Sequence, residues 1–315
     1  MNDSLKVFSG SSHPELTQSI CDELGVPVGK SRTVRFANDN LFVQIEENVR
    51  EKDVFVLQTA LPPVNDHLME LCMMIDALRH ASARRITAII PYYFYVRSDK
   101  KDAPRISITA RLVADLLVAS GVDRVLTMTL HSDQVQGFFP IPVDQLSAVP
   151  LVCDYFSEWD LTDSVVIAPD AGSAKRAGAY ATRLHLPLAI GDKRRLPDRE
   201  DEVEIHGIVG EVEGKKALVF DDEIATAGSM LNLARYLCDN YGVEEVYAGA
   251  AHGVLVGPAI ERLSRPPFKT VAVTDSLPLP EEAEGGNIVQ VPVAGLFARA
   301  IKAIHTGESV SALFR

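Results

Sequence analysis

The sequence predicts an α/β protein built as two similar domains, each a mainly parallel sheet flanked by helices. Three observations carry that prediction. Short apolar runs of strand length, bounded by polar turns, recur along the chain. Stretches with helical spacing of apolar residues separate them. One strand–loop–helix–strand unit of the first half returns in the second. Continuous apolar runs suit strands covered on both faces, as in a parallel sheet.

Taken in order, strands are expected over Leu5–Phe8, Val54–Gln58, Ile86–Ile90, Arg124–Met128, Val165–Ala168, Leu218–Phe220 and Val246–Ala250. Helices are expected over His67–His80, where Leu68, Leu71, Cys72, Ile75 and Leu78 share a face, over Ile108–Ala119 and over Met230–Asn240. Val54-Phe-Val-Leu-Gln-Thr, a loop, the first of these helices and Arg85-Ile-Thr-Ala-Ile-Ile form one unit. Ala217-Leu-Val-Phe-Asp-Asp, a loop, the helix from 230 and Glu245-Val-Tyr-Ala-Gly-Ala form its counterpart. The first loop reads Ala60-Leu-Pro-Pro-Val-Asn where the second carries an acidic pair and Thr-Ala-Gly-Ser. Domains of 1–148 and 149–300 follow, with 301–315 rejoining the first. Pro266-Pro267 and Leu277–Gly286 read as surface loops.

At 315 residues the chain can bury two cores, and 47% hydrophobic with 23% charged residues is the composition of a soluble globular enzyme. A formal charge of −12 disfavours nucleic acid as a partner. No apolar stretch is long enough to cross a bilayer, and Met1-Asn-Asp-Ser-Leu-Lys lacks the basic segment and apolar run of a secretory signal. A cytoplasmic protein with no membrane partner is expected. Cys21, Cys72, Cys153 and Cys238 are scattered, without Cys-x-x-Cys or zinc-like His spacing; Cys72 and Cys238 sit in apolar helical patterns and read as core thiols. Phosphate chemistry in so acidic a chain needs local cations. Candidates are Arg97, Lys100, Lys101 and Arg105; Lys175 and Arg176; and Lys193, Arg194 and Arg195. Singly, each is also what a solvated surface run looks like.

The most informative stretch is Ala217-Leu-Val-Phe-Asp221-Asp222-Glu223-Ile-Ala225-Thr226-Ala227-Gly228-Ser229, an apolar run ending in two carboxylates and a small-residue turn that opens a helix. Backbone N–H groups and the positive helix end favour a phosphate, and glycine lets the main chain approach it. Adjacent carboxylates can accept from vicinal sugar hydroxyls. The plainer alternative is that Asp221-Asp222 merely caps the helix; a cap needs one carboxylate and no Thr-Ala-Gly-Ser.

Other constellations also follow strands. Pro91–Asp102 carries three cations within five residues and suits a polyphosphate or a charged surface loop. His131, just past Arg124–Met128, is placed to ligate a metal or phosphate oxygen, although a lone His is more often structural. Pro169-Asp170-Ala-Gly-Ser-Ala-Lys-Arg176 joins a carboxylate, a small-residue turn and a basic helix start, and Asp170 could hold Mg²⁺. Asp192–Glu202 has no apolar anchor and reads as a mobile loop whose cations close on a phosphoryl group, or as a solvated hairpin tip.

With these residues the chain resembles the ribose-phosphate pyrophosphokinases (phosphoribosyl diphosphate synthetases) of the phosphate-regulated class, from Val7-Phe8-Ser9-Gly10 to Gly307–Phe314. The specific motifs are Arg97-Ser-Asp-Lys-Lys101, Leu130–Phe139, Pro169–Arg176 and Asp221–Ser229. The resemblance implies phosphoribosyltransferase-like domains and transfer of the diphosphoryl group of ATP to the C1 hydroxyl of ribose 5-phosphate. It implies ribose 5-phosphate on Asp221, Asp222 and Ala225, Thr226, Ala227, Gly228 and Ser229. ATP would lie on Phe36, Asn38, Asn40, Arg97, Ser98, Asp99 and Lys100, with Mg²⁺ on His131 and Asp170. Catalysis would involve Lys193, Arg195 and His131. It further implies dimers assembled into a hexamer, with residues around Phe36 lent by a neighbouring subunit, and a phosphate or ADP site using Arg50, Ser82, Arg105, Ser309 and Ser311. Departures from the family pattern are Thr129, Pro140 and Ala225 for Asp, Asn40 for Glu, Ser98 for Gln and Asn48 for Ser; Asp144 is retained. Competing readings are a non-catalytic regulatory paralogue, which Thr129, Pro140 and Ala225 favour and the retained Lys193, Arg195, His131, Asp170, Asp221 and Asp222 oppose, and a phosphoribosyltransferase, which leaves the Arg97 and His131 clusters without a role.

Overall fold

The computed structural model describes residues 4–195 and 203–314. The chain divides into two compact units, Met1–Ser147 with Val293–Arg315, and Ala148–Pro292.

The first unit opens with β1 (Leu5–Ser9), α1 (Pro14–Leu24), β2 (Ser31–Arg35) and β3 (Leu41–Ile45). Then come β4 (Asp53–Leu57), α2 (Val64–His80), β5 (Arg85–Ile90), α3 (Thr109–Ser120), β6 (Arg124–Met128) and β7 (Val143–Leu146). Its main sheet has the order β1-β4-β5-β6-β7, with every neighbouring pair parallel. β2 and β3 form a separate antiparallel hairpin that packs on α2. Phe8, Val54, Val56, Leu71, Ile75 and Ile86 lie in the buried core over which α2 is laid. The apolar runs become strands here because helices cover them; β4 is buried along its whole length.

The second unit runs α4 (Val149–Ser157), β8 (Ser164–Ala168), α5 (Ala174–Leu184), β9 (Leu188–Arg195), β10 (Val203–Val209) and β11 (Lys216–Ile224). It continues with α6 (Gly228–Tyr241), β12 (Val246–Gly253), α7 (Ala259–Leu263), β13 (Phe268–Thr274) and β14 (Ile288–Val291). The sheet order is β10-β9-β8-β11-β12-β13-β14, parallel except where β10 pairs with β9. From β8 the chain steps one way, to β9; from β11 it steps the other way, to β12. The reversal falls between the neighbours β8 and β11. Such a switch point leaves a crevice at the carboxyl ends of the strands, where ligands of open α/β sheets bind.

After β14 the chain returns to the first unit as α8 (Ala294–Thr306), which packs on α1. Its end is fastened by charge. The carboxylate of Asp53, fully buried, accepts from Arg85 Nε at 2.8 Å and lies 2.7 Å from His305 Nδ1, while Arg85 Nη2 donates to the Ile304 carbonyl at 2.8 Å.

Several expectations need correction. Asp192–Arg195 is not loop but the end of β9, held in register by β10, which supplies the pairing that an apolar anchor would otherwise provide. β11 does not stop at Phe220: pairing with β12 carries Asp221 and Glu223 as strand residues opposite Ala250 and His252. Cys72 and Cys238 are only half-buried, whereas Cys21 and Cys153 are the core thiols, and all four are free. The 277–286 segment is anchored rather than purely superficial, since Leu277 and Ala283 are buried. Among the described residues no helix is long and apolar enough to cross a membrane.

Candidate active site

The crevice of the second unit is built from the ends of β8, β9 and β11. Asp221 and Asp222 lie near the end of β11, whose pairing with β12 runs on to Ile224. One guanidinium clasps both: Arg176 Nη1 on α5 donates to Asp221 Oδ1 at 2.8 Å and also to Asp222 Oδ1. The Asp222 N–H adds a bond to Asp221 Oδ1 at 2.9 Å. The Asp222 side chain is 4% exposed and that of Asp221 35%. Burial, and then the neighbouring Asp222, push the Asp221 carboxyl up to about 7 against the pull of Arg176. Near neutral pH the pair therefore presents an acceptor that is part carboxylate, part acid, and available to hydroxyl groups.

The turn after β11 is held by its carbonyls. Those of Ile224 and Ala225 accept from the N–H groups of Leu255 and Val256, both at 3.0 Å. Ala227 adopts the left-handed region, φ 58°, which for a residue with a Cβ costs about 1–2 kcal/mol. α6 then begins with no side-chain cap on its first-turn N–H groups. The capping alternative for Asp221-Asp222 is thus overturned: their oxygens are engaged by Arg176. An uncapped helix start forgoes about 1 kcal/mol and leaves donors for an external anion.

Next to β11, the turn after β8 carries Asp170. Its Oδ1 accepts the Ser173 N–H at 2.9 Å, and Ser173 Oγ donates back to the Asp170 carbonyl at 2.8 Å. Gly191 on β9 runs against this turn. A Cβ built there would lie 2.6 Å from the Pro169 carbonyl oxygen, so only glycine lets the strand pass so close. Lys193 and Arg195 follow on the same strand, their backbones opposite Ile205 and Val203. The side chains of both, and the whole of 196–202, lie outside the described residues. Strand adjacency therefore brings Asp170, Asp221, Asp222, the Ala225–Ser229 turn and the backbone of Lys193 to one sheet end.

In the first unit, Phe36, Asn38 and Asn40 share the tip of the β2–β3 hairpin. Phe36 is half exposed, its ring centroid 5.8 Å from that of Phe42, and the Phe36 N–H donates to the Asn40 carbonyl at 2.8 Å. Arg97, Ser98, Asp99 and Lys100 lie in the long segment between β5 and α3. Arg97 and Lys100 are exposed, whereas Ser98 Oγ accepts the Thr109 N–H at 3.4 Å where α3 starts. His131, half-buried, stands between β6 and the short 3-10 turn Asp133–Phe138. Arg50 and Ser82 flank one hydrogen bond, from the Glu51 N–H to the Ser82 carbonyl at 2.9 Å, just before β4 and β5 begin. Arg105 instead belongs to the segment leaving the opposite end of β5. Ser309 lines a cleft of about 440 Å³ with Arg299 and Lys302, and Ser311 is exposed in the closing 3-10 turn.

Arg176 and Arg262 (whose Nη1 donates to the Thr226 carbonyl at 2.8 Å) were not among the site residues read from sequence. Arg176 was visible only as a basic residue at a helix start; its partners lie 45 and 46 positions away, and no local spacing signals them.

Comparison with known proteins extends over nearly the whole chain. Residues 5–121 match the family model for the N-terminal domain of ribose phosphate pyrophosphokinase, and residues 199–315 match the phosphoribosyl synthetase-associated domain. A ribose-phosphate pyrophosphokinase of Deinococcus radiodurans is 52% identical over 98% of both chains. One from Caldanaerobacter subterraneus subsp. tengcongensis is 49% identical over 99% of this chain and 98% of its own. The crystal structure of phosphoribosylpyrophosphate synthetase from Mycobacterium smegmatis superposes with a TM-score of 0.91 at 40% identity, covering 98% of this chain and 100% of that one.

Proposed function

The chain belongs to the ribose-phosphate pyrophosphokinase family, and on that premise we propose how its residues divide the reaction. The enzyme transfers the diphosphoryl group of ATP to the C1 hydroxyl of ribose 5-phosphate, giving 5-phosphoribosyl 1-diphosphate and AMP. The observation that carries the assignment of residues is the carboxylate pair clasped by Arg176 at the switch point, with the small-residue turn and the start of α6 directly after it. The N–H groups of the Thr226–Ser229 turn hold the 5-phosphate. Asp221 and Asp222 accept from the ribose hydroxyls, and Arg176 fixes their orientation.

Arg97, Asp99 and Lys100 line the polyphosphate of ATP, with Ser98 setting the start of α3 behind them, while Phe36, Asn38 and Asn40 meet the base. Lys193 and Arg195 neutralise the group in transfer, where positioning and charge matter more than covalent chemistry. Asp170 and His131 suit Mg²⁺. Asp170 commits Oδ1 to Ser173, and a carboxylate has capacity for a second partner. Among the described residues no three His, Cys, Asp or Glu side chains converge as a metal cage, and Mg²⁺ held by one or two carboxylates plus phosphate oxygens requires none. Bound there, the ion would offset phosphate charge during transfer.

A homo-oligomer, dimers assembling into a hexamer, is supported by Met69 on α2 and Leu112 and Leu116 on α3, large apolar side chains 40–54% exposed. Phosphate control through Arg50, Ser82, Arg105, Ser309 and Ser311 belongs to the same proposal, as does a cytoplasmic setting. Incubation with ATP, Mg²⁺ and ribose 5-phosphate is expected to release AMP, and Lys193→Ala to lower turnover by about 100-fold or more. Unaltered turnover in that variant would remove Lys193 from the chemistry. A rate that ignores inorganic phosphate would remove the regulatory set, and light scattering decides the assembly.

A further inference from the structure

The carbonyls of the β11–α6 turn are fixed from one side. Ile224 and Ala225 accept from backbone N–H groups of the segment after β12, and Ala227 accepts from the Leu231 N–H at 3.0 Å. The Thr226 carbonyl, between them, accepts from a side chain: Arg262 Nη1 on α7, at 2.8 Å. A Cβ built on Gly228 would meet that same Nη1 at 3.1 Å. A side chain at residue 228 would crowd the guanidinium by a few tenths of an ångström, so glycine there eases the close approach of Arg262 to the turn. Ala227, left-handed without being glycine, keeps its conformation only where surrounding bonds over-determine it. The bond to Arg262 is one of those determinants.

We propose that Arg262 is a positioning residue for the ribose 5-phosphate turn. Its guanidinium holds the Thr226 carbonyl and the left-handed Ala227 so that the N–H groups opening α6 stay aimed at the phosphomonoester, and it adds positive charge behind them. The inference rests on Thr226–Ser229 being the phosphate turn. Arg262 acts through the backbone and takes no part in the transfer itself.

Steady-state kinetics of Arg262→Met, which keeps the stem but removes donors and charge, test this. KM for ribose 5-phosphate is expected to rise about tenfold or more, with kcat and KM for ATP changing less than about twofold. Arg262→Lys, retaining a charged donor, recovers part of the loss. Should the Met variant not fold, Arg262→Gln keeps a neutral donor and is expected to raise the same KM about threefold. A folded variant with unchanged KM for ribose 5-phosphate, or an equal rise in both KM values, overturns the proposal. Thr226→Val separates the two levels. If it raises KM for ribose 5-phosphate while Arg262→Met does not, only the role of Arg262 falls. If it too is silent, the phosphate turn itself is misassigned.

Discussion

The β4–α2–β5 and β11–α6–β12 units share one topology and differ in what fills the turn after the first strand. In the first, Gln58 and Thr59 are fully buried. Gln58 Nε2 donates to Glu70 Oε2 at 2.6 Å, and its Oε1 accepts the Ser12 N–H at 2.9 Å. The Ser11 N–H donates to Glu70 Oε2 at 3.2 Å, and the Thr59 N–H to Ser12 Oγ at 2.8 Å. The helix is entered through Pro62 and Pro63, which have no N–H to offer. In the second, the turn is small residues, the first turn of α6 holds no acidic residue where that of α2 holds Asp66, and the carboxylates face an arginine instead of the turn. One copy of the frame supplies its own negative charge and becomes scaffold. The other leaves donors unmatched and becomes a place for an outside anion.

That contrast can be attacked directly. Ser229→Asp puts a carboxylate in the first turn of α6, where α2 of the first unit carries Asp66. It is expected to lower kcat/KM for ribose 5-phosphate by about 100-fold or more while leaving stability unchanged or higher by about 0.5–1 kcal/mol. Retained activity would mean the turn receives no phosphate. Arg176→Met strands the buried Asp222 carboxylate and its half-buried neighbour Asp221, at about 3 kcal/mol, read as a fall in thermal midpoint of several degrees that Asp222→Asn in the same chain partly restores. Gln58→Ala, in the filled turn, is expected to cost about 2 kcal/mol by leaving the Ser12 N–H unmatched and removing one of the donors to Glu70, with KM for ribose 5-phosphate unmoved. A shifted KM there would erase the division between scaffold and site.

The smallest effect is on pH. Asp221 is pushed up to about 7 in the folded chain, from about 3.9 when unfolded. Between those values the native state holds a proton that the unfolded chain has lost. Stability from this group is therefore whole below about pH 4 and declines as pH rises toward 7. Against Asp221→Asn, the thermal midpoint of the parent should fall across that window, while its affinity for ribose 5-phosphate climbs as the carboxylate ionises. Parallel profiles for the two proteins would place the titration elsewhere.

Sequence periodicity exposes the central parallel strands because each is a short apolar run covered on both faces; β4 and β8 are buried at every position. The order strand, acidic pair, small turn, helix was equally plain around Asp221–Gly228. β9 was hidden because Asp192–Arg195 draws its strand character from pairing with β10 and not from its own side chains. α1 had readable signals in Pro14 at its first turn and Leu16 and Ile20 on its buried face, yet it is short, and its packing partner α8 lies at the far end of the chain. The β2–β3 hairpin pairs residues six to fourteen positions apart around Phe36–Asn40, but its half-exposed faces blur the apolar pattern. The partners of Arg176 and Arg262 were illegible for another reason: each is brought close only by the sheet, across 45 and 36 residues.

The fastening of α8 bears on how the chain matures as it leaves the ribosome. Asp53 emerges early, but His305 follows only 252 residues later, after the whole second unit. The second unit, contiguous from Ala148 to Pro292, has all its strands before the first has its final helix. Nascent chains therefore complete the later-coded half first, and a premature stop ahead of Val293 yields one finished globule joined to another still lacking its closing piece.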